Sequence, residues 1–154
     1  LRQSDDNREA FSKRLAALDE MTANGLCADY DFHLAVLFGV RAEQEFDPQQ
    51  RRMKRKEYPQ IAAAILSEFQ KRARLPRTAV ACATNILLAQ LRLDPPDHIS
   101  ASRRQSWNPE ALMAQAWFPL ALSYLKLRLK ADGRGSELWD EWHQRYQVFG
   151  QSKA

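Results

Sequence analysis

An all-α fold, an irregular bundle of about six helices, is what this sequence predicts, and three observations carry it. Apolar residues recur at helical spacing: Phe11, Leu15, Leu18 and Met21 follow at steps of four, three and three, and Val80, Ala83, Leu87 and Leu91 share a face in the same way. Prolines fall where helices start or break, at Pro48, Pro59, Pro76 and Pro119. The composition, 45% apolar and 27% charged over 154 residues, is that of a chain that buries a core without disulfides or metal rather than that of a disordered tail. Residues 1–154 therefore read as a single helical domain, and a chain that begins at Leu1 reads as a piece of a longer protein.

The first helix is predicted over Asp5 to Ala23, with Ser4 as N-cap, early acids Asp5, Asp6 and Glu9 on the positive end of the helix dipole, and Asn24-Gly25 as its stop. A second helix, capped by Asp29 or Asp31, carries Phe32, Leu34, Val36, Leu37, Phe38 and Val40 almost all round, so it belongs at the centre. Gly39 within it costs about 1 kcal/mol relative to Ala, which marks a close approach of another helix. Asp47-Pro48 restarts a helix, and Pro59 breaks or kinks the chain near Tyr58. The next helix runs to about Arg74 with Ile61, Ile65, Leu66 and Phe69 inward, Leu75-Pro76 turns the chain, and another helix covers roughly Thr78 to Arg92. Leu93 to Ser106 is a polar, proline-containing loop. Asn108-Pro109-Glu110 starts a helix that reaches Ala131 with a kink or split at Pro119, Trp107 and Leu112 being placed for a hydrophobic staple. Gly133 and Gly135 turn the chain, and Ser136 caps a last helix through about Phe149.

Charge is segregated along the chain. Residues 1–50 hold ten carboxylates against five Lys/Arg, residues 51–134 hold six against sixteen, and the remainder three against two, for a formal net charge of +4. A basic middle of this kind calls for a polyanionic partner. Its densest part is Arg51, Arg52, Lys54, Arg55 and Lys56, at the start of a predicted helix where the dipole disfavours cations, so an external anion is the simplest reason for them. Lys71, Arg72, Arg74 and Arg77 form a second cluster, part of which the dipole at a helix C-terminus already explains, and Arg103 and Arg104 form a third, in the loop. Solvated surface is the competing reading of all three.

Other constellations are thinner. Tyr58 and Trp107 adjoin basic residues and could stack on unpaired bases, although packing is the commoner fate of such rings. A helix-turn-helix reading of the Leu75-Pro76 corner meets a proline turn and an Ala/Leu-rich second helix, neither suited to base readout. Asp29 and His33 share a helix face but lack further ligands, so no metal site is expected. Cys27 and Cys82 fit neither a zinc pattern nor a disulfide framework, which points to the cytoplasm. No apolar run is long enough to span a membrane. Neither a P-loop, a dinucleotide-binding glycine turn, a nucleophile elbow nor a zinc-protease motif occurs, so no catalytic residue and no cofactor is assigned. The last helix carries Leu138, Trp139, Trp142, Tyr146 and Phe149, an aromatic face that serves either the core or a docked protein.

One resemblance extends this reading. The run from Phe118 to Arg128, Phe-Pro-Leu-Ala-Leu-Ser-Tyr-Leu-Lys-Leu-Arg, then a short gap and Glu137-Leu138-Trp139-Asp140-Glu141-Trp142, resembles the end of the bacterial poly(A) polymerases, relatives of the tRNA nucleotidyltransferases. Leu75-Pro76-Arg77 followed by Ile86 to Leu93, with Gln90-Leu91-Arg92 inside it, is similar to a segment of the same family. The resemblance implies a helical, RNA-binding C-terminal part whose catalytic carboxylates belong to an N-terminal domain that this sequence does not contain. The expected function is thus RNA-backbone binding without catalysis, and the alternative is a helical adaptor that binds an acidic protein.

Overall fold

The structure, a computed structural model, describes residues 2–26, 30–45, 57–94 and 108–152. Among them there are seven helices and no strand: α1 (Arg2–Ala23), α2 (Tyr30–Glu45), α3 (Glu57–Ala73), α4 (Arg77–Leu93), α5 (Pro109–Met113), α6 (Phe118–Ala131) and α7 (Glu137–Ser152). The all-α expectation holds, and no described helix is long and apolar enough to cross a membrane.

Helix ends follow local chemistry closely. α1 stops in a Schellman motif: the Leu26 amide donates to the Met21 carbonyl at 2.9 Å and the Gly25 amide to Thr22 at 3.1 Å, with Gly25 at φ 101°. α6 ends the same way, Arg134 donating to Leu129 at 2.8 Å around Gly133 at φ 69°. Asn108 caps α5, its side-chain oxygen accepting from the amides of Glu110 and Ala111 at 3.0 and 3.2 Å. Pro119 splits α5 from α6, as a residue without an amide hydrogen must, and sits in the first turn of α6. Pro59 likewise lies in the first turn of α3, where its missing donor costs no helical bond. Two boundaries differ from expectation. α1 begins at Arg2, so Ser4 lies inside the helix rather than capping it, and α7 continues past Phe149 to Ser152 because Gly150 is tolerated on an exposed last turn.

Two apolar cores share α4 and α6. The first gathers Leu18 and Met21 of α1, Phe32 and Val36 of α2, Leu66 of α3, Ile86 of α4 and Tyr124 and Leu127 of α6. The second joins Ala89 and Leu93 of α4, Leu112 of α5, Phe118 and Leu125 of α6 and Trp142 of α7. α2 is central as predicted, touching α1, α3, α4 and α6. Gly39 is where it meets α6: a Cβ there would overlap the Tyr124 hydroxyl. The aromatic face of α7 is core material, since Trp142 is buried with its Nε1 donating to the Leu93 carbonyl at 3.0 Å, and Trp139, Tyr146 and Phe149 pack against the second core.

Candidate nucleic-acid interface

The second basic cluster occupies the corner between α3 and α4. Lys71 and Arg72 lie in the last turn of α3, Arg74 is in the turn, and Arg77 opens α4. All four are exposed, and seven consecutive residues hold them. The corner is anchored to the first core. Leu75, 8% exposed, plugs into the first core between exposed Arg74 and exposed Pro76, and its amide donates to the Gln70 carbonyl at 3.2 Å. Pro76 enters α4 at φ −60° and ψ 137° and offers no side-chain cap, so the first amides of α4 are left for solvent or an anion. Arg77 stands on this positive helix end, where a cation gains nothing from the dipole. Arg74 adopts a positive φ of 53°, the position that glycine fills at the ends of α1 and α6.

Among the described residues none of these four cations is in an ion pair; Arg8 and Arg41 are likewise exposed and unpaired, but as isolated residues in the sequence, whereas several other cations are engaged. Lys13 pairs with Glu9 at 3.4 Å, Lys130 with Glu20 at 2.7 Å and Arg145 with Glu141 at 3.2 Å. Arg14, Arg128 and Arg134 form an internal chain. Arg14 is 4% exposed, donates to the Tyr124 hydroxyl at 2.8 Å and pairs with Glu43, whose other oxygen lies 2.9 Å from Arg128. Arg128 reaches Asp94 at 3.7 Å, and Arg134 donates to Asp94 at 2.7 Å. Gln90, also buried, donates to the Ile86 and Ala121 carbonyls, both at 3.0 Å, and accepts from Arg128 at 3.3 Å. Burial alone would lower the Arg14 pKa, but Tyr124 and the Glu43 carboxylate outweigh it, so the guanidinium is held more firmly protonated than usual. Burial, reinforced by Glu43 and opposed by Arg14 and Arg128, pushes the Tyr124 hydroxyl well above the ordinary phenol range.

This internal network was not among the expected site residues. One signal for it was in the sequence: Arg14 is three residues from Phe11 and four from Leu18, on the apolar stripe of α1. The predicted stripe used Leu15 instead, and Leu15 is 37% exposed. Leu37, expected inward, is 46% exposed.

Arg51, Arg52, Lys54, Arg55, Lys56, Arg103 and Arg104 lie outside the described residues, as do Trp107 and Asp29, and the Tyr58 side chain is not described. Their points of attachment are described. α3 and α4 form an antiparallel hairpin through a three-residue turn, so Glu57 and Asp94 stand at one end of it and the Lys71–Arg77 corner at the other, about 25 Å away for helices of 17 residues. Among the described residues no group of three His, Cys, Asp or Glu could hold a metal ion. A groove of roughly 770 Å³ between α5 and α7 is lined by Met113, Val148 and Phe149 together with Glu110 and with Glu141, which is paired with Arg145. Set against models of known protein families, curated proteins and solved structures, the chain matches none of them.

Proposed function

We propose that this chain binds the phosphate backbone of RNA through its central basic region, as the non-catalytic C-terminal part of a poly(A) polymerase-like nucleotidyltransferase. The observation that carries the reading is the clustering of free cations: Lys13, Arg14, Arg128, Lys130, Arg134 and Arg145 are neutralised within the molecule, while Lys71, Arg72, Arg74 and Arg77, held within seven consecutive residues, stay exposed with no ion pair among the described residues. Solvated charge that serves only solubility gains from nearby carboxylates and from the helix dipole; Arg77 has neither. Phosphate is the anion that arginine forks and free helix amides both suit. Arg51, Arg52, Lys54, Arg55 and Lys56 add the largest charge to the same partner, and Arg103 and Arg104 extend it.

The test is binding of a labelled oligouridylate, which forms little structure of its own, across a salt series. Replacing Lys71, Arg72 and Arg77 together by Glu is expected to weaken binding and to reduce the salt slope by about 2, at roughly 0.7 per lost contact on a single strand. Arg77→Glu puts a carboxylate where the helix dipole favours it, but Glu in place of Lys71 and Arg72 falls at the disfavoured C-terminal end of α3, so thermal unfolding of the triple variant is measured beside its binding to separate lost contacts from lost fold. Unchanged affinity and slope would remove the corner from the interface, and the same outcome on replacing Arg51, Arg52, Lys54, Arg55 and Lys56 would remove the first cluster. A protein partner that survives high salt, with no RNA bound at any salt, would replace this reading by that of an adaptor for an acidic protein.

A further inference from the structure

Resting on that reading, we infer that Arg74 is a phosphate-binding residue kept at the expense of the fold's stability. Among the described residues three helices end with a residue in the left-handed conformation, and two of them use glycine, Gly25 and Gly133; the third uses Arg74, at φ 53°. Left-handed backbone crowds the Cβ of an L-residue against its neighbouring carbonyl, which is why glycine is the usual choice at this position. Nothing within the described residues compensates Arg74: it is exposed, in no ion pair, and not packed into either core. The side chain thus contributes no described contact that would offset its backbone.

The turn that carries it is held on both sides. Leu75 is buried beside it, the Leu75 amide closes the end of α3 on Gln70, and Pro76 fixes the following backbone. A guanidinium leaving such a turn starts from a fixed Cα, flanked by Arg72 two residues before it and Arg77 three after. Ordering a ligand against fixed points costs less entropy than ordering it against a mobile loop. The corner accordingly suits the phosphodiesters of one RNA strand, with Arg74 at its apex.

The experiment compares Arg74→Gly, Arg74→Lys and the parent chain by thermal unfolding and by oligouridylate binding across the salt series. Arg74→Gly is expected to raise the melting temperature by about 2–4 °C, the shift that relief of one left-handed residue gives in a chain of this size. It is also expected to lower the salt slope by about 0.7 and to weaken binding. Arg74→Lys, which keeps the charge and the strain, is expected to leave the melting temperature and the slope where they were. If Arg74→Gly binds as the parent does while Glu at Arg72 and Arg77 weakens binding, Arg74 is not a contact and the wider reading stands. If neither set alters binding, the wider reading falls with it. A melting temperature that does not rise would show that Arg74 imposes no cost, and would overturn the trade.

Discussion

Tyr124 is the residue on which the centre of the molecule turns, because its hydroxyl sits between a helix that can come no nearer and an arginine that water hardly reaches. The space for it exists because position 39 is glycine. Gly39→Ala would gain about 1 kcal/mol of helix propensity. The added methyl would meet a hydroxyl tied to Arg14, and overpacking of a fixed contact costs about 1–3 kcal/mol. We expect a net loss of up to about 2 kcal/mol on denaturant unfolding, smaller in a Tyr124→Phe background, where the obstructing oxygen is gone. The same hydroxyl gives the fold a response to alkali. Its pKa is raised on folding, so between the unfolded value of about 10 and the folded one the native state holds a proton that the unfolded chain has lost. Stability is therefore expected to fall as pH rises through about 10, more steeply for the parent chain than for Tyr124→Phe. Equal slopes for the two would show that Tyr124 is not the group responsible. Gly39 was readable in the sequence as a close approach, since a glycine in an apolar helix has few other reasons to be there. Arg14 was not, because periodicity ranks residues by polarity and cannot see the Glu43 carboxylate that makes a buried arginine tolerable.

Helices, by contrast, were legible wherever their ends depend on their own residues. Asn108-Pro109, Gly25, Gly133 and Pro119 each act within about one turn of the backbone they control, and each boundary they signal is present. α1 runs back to Arg2 because a serine near a helix start competes with plain continuation of the helix, and sequence gives no measure of that contest. α7 raised a different question, whether its aromatics face inward or toward a partner, and only packing answers it. Trp142 is buried, its ring 6.5 Å from that of Phe118, and its indole nitrogen bonds the last residue of α4. Trp142→Phe keeps an aromatic ring but removes the indole N–H, stranding the Leu93 carbonyl, together with part of the buried ring volume, and should cost at least about 1–3 kcal/mol. A chemical-denaturation midpoint that does not move would mean that water replaces the bond without loss.

For the molecule as a whole, α4 and α6 each give residues to both cores, so neither half has a boundary of its own among the described residues. That sharing could not be read from the chain, since Leu87 and Leu93, six residues apart on one helix, look alike in sequence yet serve different cores. The segregation of charge was plain from residue counts, but which cations remain available was not. Counting places Arg128 and Arg134 in the same basic middle as Arg72 and Arg77; only the fold shows the first two facing Glu43 and Asp94. The sequence therefore supplied the second cluster of the candidate interface and overstated the free charge around it.

That division has a practical corollary in concentrated electrolyte. Counterions shield charges that face water within a few ångströms, but they hardly reach a buried guanidinium such as that of Arg14. Raising the ionic strength should strip a polyanion from the α3–α4 corner and leave Arg14 and Glu43 locked, so that release of the ligand and loss of the fold are separable on a single titration axis.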